Sequence, residues 1–128
     1  MDTTTEPSFT VIIPARNAAS TLAACLESIR ASSLLPRETI VVDDGSVDGT
    51  ADVAARSGCT VLRIHQGKGP MQPRFEGARI AQTPLLVFVD ADVRVKPNTF
   101  RRLASHFQDP GIDAVTGSSP PLMWRSTQ

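Results

Sequence analysis

The chain has 128 residues, 41% of them hydrophobic, and thirteen basic residues balance thirteen acidic ones. That length and apolar content suit one domain with a real core, and the balanced charge removes the electrostatic case for a nucleic-acid or polyanion partner. No apolar run approaches the ~18 residues of a membrane span, and Met1-Asp2-Thr3-Thr4-Thr5-Glu6 does not read as a signal peptide.

Residues 1–8 are polar and expected to be disordered. Phe9-Thr10-Val11-Ile12-Ile13 reads as a first strand, stopped by Pro14, which cannot donate to a central ladder. A loop follows through Ala15, Arg16 and Asn17. Ser20 or Thr21 then caps a helix to about Ser32, with Leu22, Cys25, Leu26 and Ile29 on one face. Glu38-Thr39-Ile40-Val41-Val42 is a second strand ending in paired acids, Asp43 and Asp44. After the loop 45–49, a short helix starts at Asp48 or Thr50 and runs to Arg56, with Gly58 as a C-terminal signal. Thr60-Val61-Leu62-Arg63-Ile64 is a third strand, and 66–70 is a flexible loop containing Gly67 and Lys68. Residues 71–82 read as a helix with Phe75, Ala78 and Ala81 or Gln82 at apolar intervals and Pro73 near its start. Leu85-Leu86-Val87-Phe88-Val89 is a continuous apolar run, the pattern of a strand buried on both faces, and it ends in Asp90-Ala91-Asp92. Pro97 fits the first position of a helix with Phe100, Leu103, Ala104 and Phe107 on its apolar face. Ile112-Asp113-Ala114-Val115-Thr116 is a fifth strand, and 119–128 has no readable period. Cys25 and Cys59 lack metal-ligand spacing and read as buried thiols of a reducing compartment.

Strands alternating with helices imply an α/β domain, a mostly parallel sheet and right-handed crossovers. In such a sheet the loops after the strands share one edge, where ligands bind. Three of them carry chemistry: Pro14-Ala15-Arg16-Asn17, Asp43-Asp44-Gly45-Ser46 and Asp90-Ala91-Asp92. If the chain stays extended at Asp90 and Asp92, both side chains point the same way from Cα atoms about 6.5 Å apart. Hard oxygen donors suit Mg²⁺ or Mn²⁺ combined with substrate phosphates, so the reading is a metal–diphosphate site; an Asp-rich turn is the competing one. Asp43 or Asp44 could accept from a ribose or a nucleobase N–H, or Asp44 could bond the loop backbone instead. The first strand lacks Gly-x-Gly-x-x-Gly and the chain has no P-loop. The faint calcium-loop echo from Asp44 to Gly49 fails at Ala55, where a Glu is needed. Arg74 could hold a diphosphate in bidentate fashion; Lys68 could assist, or could be an ordinary solvated charge. His65 and His106 read as ordinary surface or half-buried positions.

These residues together resemble the family 2 glycosyltransferases of GT-A fold. The matching stretches are Val11-Ile12-Ile13-Pro14-Ala15-Arg16-Asn17, the helix from Leu22 to Ile29, and Glu38-Thr39-Ile40-Val41-Val42-Asp43-Asp44-Gly45-Ser46-Val47-Asp48-Gly49-Thr50. Gly69 through Arg74 to Gly77 follows, and then Phe88-Val89-Asp90-Ala91-Asp92-Val93 with Pro97. The resemblance spans residues 9–118 and implies a nucleotide-sugar-binding domain there, with an irregular tail over 119–128. It implies that Pro14, Ala15, Arg16 and Asn17 lie under the base, beside Asp43, and that Asp44 reads the base. Arg74 would stand near the diphosphate. Asp90, Ala91 and Asp92 would be the Asp-x-Asp (DXD) motif, Asp92 holding Mn²⁺ or Mg²⁺ and Asp90 facing the ribose or the metal's water. The implied reaction is sugar transfer from a UDP- or GDP-linked donor, normally with inversion. Phe75 departs from the Asn usual after that arginine.

Relatives continue for roughly a hundred residues more, in keeping with α/β domains of 200 or above. That part carries the acceptor site and the general base, and no catalytic base is placed by motif here. The chain therefore reads as a sheet truncated after about five strands. A non-catalytic nucleotide-sugar-binding module stays open beside the enzyme, as do a homodimer or a complementing chain, with self-association through the uncovered surface. The implied setting is cytoplasmic, compatible with the cytoplasmic face of a membrane.

Overall fold

The apolar runs that end in acids form the centre of a six-stranded sheet. The computed structural model describes residues 8–65, 69–116 and 122–126. In chain order these hold β1 (Phe9–Ala15), α1 (Ala19–Arg30), β2 (Glu38–Asp44), α2 (Thr50–Arg56), β3 (Thr60–Ile64), α3 (Met71–Ile80), β4 (Leu85–Phe88), α4 (Thr99–Ser105), β5 (Ala114–Thr116) and β6 (Leu122–Arg125), with one 3₁₀ turn after α4. The disordered N-terminus expected over 1–8, apart from Ser8, lies outside the described residues, as do Gly67 and Lys68 and half of the tail, 119–121 and 127–128. No helix among the described residues is long and apolar enough to cross a membrane.

The strand order is β3-β2-β1-β4-β6-β5. The first four are parallel, with Ile12 level with Ile40 on one side and Phe88 on the other. Successive strand residues face opposite sides, and here both sides are covered. Val11, Ile13, Val41 and Val87 pack with Leu22, Cys25, Ile29 and Phe100 of α1 and α4. Ile12, Ile40, Val42, Leu86 and Phe88 pack with Ala78, Ile80 and Ala81 on the α3 side. That two-sided burial is why the strands read as unbroken apolar runs.

Several expectations are corrected. Pro14 does not stop β1. The Ile12 carbonyl accepts from the Val89 N–H on the β4 side, and Pro14, two residues on, faces the same way. The β4 ladder ends at Phe88, so the missing N–H has no strand to serve. Pro97 precedes the N-cap Asn98 rather than opening α4. The face that α3 buries is Pro73 and Gly77, while Phe75 is 67% exposed. Helix α3 stops at Ile80 because Ala81 is extended (φ −67°, ψ 144°), ahead of Thr83, which Pro84 disfavours as helical. The fifth strand does not pair with β4: β6, in the tail expected to be irregular, lies antiparallel between them.

Candidate functional site

A cleft of about 760 Å³ opens at the carboxyl ends of β1, β2 and β4, within the range of small-molecule sites. Pro14, Ala15, Arg16, Asn17, Asp44, Arg74, Asp90, Ala91 and Asp92 all line it. The three loops thus meet in one volume, as parallel strands require. Asp43 does not line it. Ser20 and Thr21, read above only as helix caps, do.

One half is built by the loops after β1 and β2. Gly45 turns the chain with φ +71°, a conformation open to glycine, and the Ser46 N–H then donates to Asp43 Oδ1 at 3.0 Å. Asp43 is 1% exposed, and its other oxygen lies 3.4 Å from Arg63 Nε. Asp44, at the rim, accepts no hydrogen bond among the described residues. The loop-bonding role offered to Asp44 therefore falls to Asp43.

The two loops are joined by side chains. Asn17 is left-handed (φ +50°), which Asn tolerates. Its N–H donates to Ser46 Oγ at 2.9 Å, and its Oδ1 accepts from the Val47 N–H at 2.9 Å. The Ala18 N–H donates to Thr50 Oγ1 at 2.9 Å, and the Ala19 N–H donates to Asp48 Oδ2 at 3.2 Å. Asp48 Oδ1 accepts the Thr50 N–H at 3.0 Å and the Thr50 hydroxyl as well. One carboxylate therefore caps the first N–H of both α1 and α2, neither of which has a side-chain cap at its own N-cap position. The Thr50 hydroxyl above all, with the Ala19 and Thr50 N–H groups, holds the Asp48 carboxyl below its ordinary range, against a smaller opposing effect of burial. Ser46, Asp48 and Thr50 carry this join; in the sequence Asp48 and Thr50 signal only the start of α2, and Ser46 only the loop after β2.

The other half is built by α3 and the segment after β4. Asp90 and Asp92 are not on extended chain: the Val93 N–H closes a turn on the Asp90 carbonyl at 3.0 Å. The turn, not strand alternation, brings both acids to the cleft. Arg74 Nη2 donates to Asp90 Oδ1 at 2.9 Å, and Nη1 donates to the Pro70 carbonyl at 2.7 Å. Asp92 is exposed and, among the described residues, has no hydrogen-bond or ion-pair partner. Helix α1 anchors the turn from behind. The Cys25 thiol donates to the Asp90 carbonyl at 3.6 Å, and Ser28 Oγ accepts from the Val95 N–H at 3.0 Å while donating to the Cys25 carbonyl at 2.7 Å. Burial first, then the charges of Asp92, Cys59 and Asp90, push the Cys25 thiol up to about 12, so it serves as a neutral anchor rather than a nucleophile.

The donor set fits a divalent cation held jointly with a ligand. Among the described residues no group of three or more His, Cys, Asp or Glu converges, so a cation at Asp90 and Asp92 would need phosphate oxygens and water to complete its coordination. Three carboxylates (Asp44, Asp90, Asp92) and two arginines (Arg16, Arg74) line the cleft. A diphosphate near Asp92 meets net repulsion unless a cation lies between them.

A family model described as Glycosyl transferase family 2 matches residues 10–123. The chain is 36% identical over 109 residues to the pre-mycofactocin glycosyltransferase of Mycobacterium tuberculosis, covering 83% of this chain and 22% of that protein. Among solved structures, it is similar to the mannosyltransferase PcManGT from Pyrobaculum calidifontis in complex with GDP-Man and Mn²⁺ (TM-score 0.80, 26% identity, 91% of this chain and 37% of that one). It is also similar to glucosyl-3-phosphoglycerate synthase from Mycobacterium tuberculosis in complex with Mn²⁺, UDP and glucosyl-3-phosphoglycerate (TM-score 0.74, 25% identity, 86% and 43%). The chain spans 22% to 49% of the length of the curated relatives it matches.

Proposed function

The chain belongs to glycosyl transferase family 2 and has the GT-A fold, and from that premise we propose that it binds a UDP- or GDP-linked sugar and takes part in transferring the sugar to an acceptor. The supporting observation is the division within each acid pair. Asp44 and Asp92 line the cleft without a partner among the described residues, while Asp43 is bonded to the Ser46 N–H with Arg63 3.4 Å from its other oxygen, and Asp90 is held by Arg74.

Asp44 accepts from the base N–H above the platform formed by Pro14, Ala15, Arg16 and Asn17. Arg74, already reaching Asp90, supplies a guanidinium to the diphosphate. Asp92 and Asp90 hold Mn²⁺ or Mg²⁺, which when bound offsets the charge of the departing nucleoside diphosphate. An inverting transfer needs a base for the acceptor's proton, and we assign that base to none of the described residues. Every carboxylate among the described residues that line the cleft is assigned here to the donor side, and a donor-binding module is the second reading.

Calorimetry of UDP-sugar and GDP-sugar with and without Mn²⁺ tests the shared part. Binding is expected to require Mn²⁺ and to fall at least about tenfold in Asp92→Ala. Binding indifferent to both would remove the metal role. Product analysis with a panel of acceptors separates transferase from module.

A further inference from the structure

The cleft has two halves built on different loops. Arg74, Asp90 and Asp92 stand on α3 and the turn after β4. The platform under the proposed base stands on the loop after β1, and that loop is tied to the loop after β2. Asp48 is at the centre of this tie yet does not line the cleft. We propose that Asp48 is the positioning residue of the nucleobase half, setting how well the site binds the nucleoside and leaving its grip on the diphosphate and cation alone. This rests on the donor-binding reading given above.

The chemistry is specific to a carboxylate. Oδ1 takes the Thr50 hydroxyl proton, which leaves that oxygen's lone pairs turned to the Ala18 N–H. Oδ2 takes the Ala19 N–H directly. Two successive amides at the end of the platform therefore depend on one side chain, and Asn17 just before them is held by Ser46. An amide in place of the carboxylate has a single acceptor oxygen and turns an NH₂ toward one of the donors, so it can keep only one of the two connections. Without the tie, residues 15–18 would be ordered when the ligand binds rather than beforehand. Ordering the backbone of even one residue corresponds to roughly tenfold in affinity.

The test compares UDP and GDP with inorganic pyrophosphate, each titrated with Mn²⁺ into the wild-type chain and into Asp48→Ala, alongside thermal melts. The expected result is a loss of roughly tenfold or more for the nucleoside diphosphate, a change within about twofold for pyrophosphate, and partial rescue in Asp48→Asn. A merely structural role would weaken both ligands together. That parallel loss, or no loss, overturns the positioning role while leaving the donor site standing. Wild-type protein that binds neither UDP nor GDP overturns the donor-binding reading and this inference with it. If Asp48→Ala does not fold, Ser46→Ala, which removes only the acceptor of the Asn17 N–H, must show the same nucleoside-selective loss at smaller size, and equal losses for both ligands there overturn the proposal.

Discussion

Gly77→Ala tests how α3 carries Arg74 to the cleft. Gly77 is buried against the sheet. A Cβ built there would lie 2.5 Å from Ile12 Cγ2 and 3.1 Å from Val42 Cγ2. Ile12 is fully buried in β1, and its β-branched side chain is stiff at χ1, so the methyl cannot swing aside. Helix propensity works the other way: alanine in a helix interior gains about 1 kcal/mol over glycine. Overpacking a filled core costs about 1–3 kcal/mol. The clash is the larger effect, and the expected net loss is about 1 kcal/mol, near 3–5 °C in melting temperature for a domain of this size. Relief by lifting α3 off the sheet would also move Arg74, one turn earlier on the same helix, away from Asp90. Urea denaturation reads the first effect, and Mn²⁺-dependent UDP titration reads the second as weaker binding. A variant that melts above wild type would refute the reasoning, because it would show that α3 is not held at contact distance by this glycine.

Two further variants probe the scaffold. The Cys25 thiol is pushed from its ordinary 9.0 up to about 12, chiefly by burial, so the folded state keeps a proton that the unfolded chain releases near pH 9. Its contribution is complete below pH 9 and is lost as pH rises toward 12, because the unfolded state then binds fewer protons. Cys59, also raised by burial, acts in the same direction. The urea midpoint should fall between pH 7.5 and pH 10, and fall less in Cys25→Ala; equal falls would contradict the assignment. Arg125 Nη2 lies 3.3, 3.5 and 3.1 Å from the carbonyls of Phe107, Asp109 and Ile112, and the guanidinium stacks 5.4 Å over the Phe107 ring. Arg125→Ala should cost about 1–3 kcal/mol with nucleotide affinity unchanged, and a loss below about 0.5 kcal/mol in chemical denaturation would show that these contacts contribute little.

The four parallel strands and their acid-bearing ends were legible in the sequence because burial on both faces leaves no polar alternation to confuse the period. What escaped was set by relations between distant segments. Whether Pro14 ends a strand depends on where β4 stops, which β1 alone does not encode. Strand β6 is four residues long and stabilised by pairing with β4 and β5, so its own composition carries little signal. Phe75 was counted into the face of α3 by its hydrophobicity, but the sheet approaches so closely that only Pro73 and Gly77 fit beneath, and glycine carries no weight in an apolar period. In the site, the loops and the acids facing the cleft were readable from residue type. The tie through Ser46, Asp48 and Thr50 was not, because capping signals are scored against the nearest helix and here the caps cross from one loop to another.

The same division recurs in both acid pairs, and charge repulsion explains why. Two carboxylates side by side at a half-buried rim repel each other, and leaving both without a counter-charge would destabilise the fold before any ligand arrived. In each pair one member is neutralised within the protein. Asp43 turns to the Ser46 N–H and Arg63, and Asp90 turns to Arg74. The other member, half-buried Asp44 or exposed Asp92, keeps access to water, which moderates its electrostatic cost. The two neutralised acids differ in what holds them. Asp43 is buried and bonded to its own turn, whereas the Asp90–Arg74 pair is about half exposed on the carboxylate side and joins α3 to the turn after β4. An ion pair so exposed contributes at most about 1 kcal/mol, so the cation or diphosphate proposed above would replace it at small cost. On the proposed donor-binding reading, the buried Asp43 would brace the base half and the exchangeable Asp90–Arg74 pair would stand where the diphosphate and cation bind.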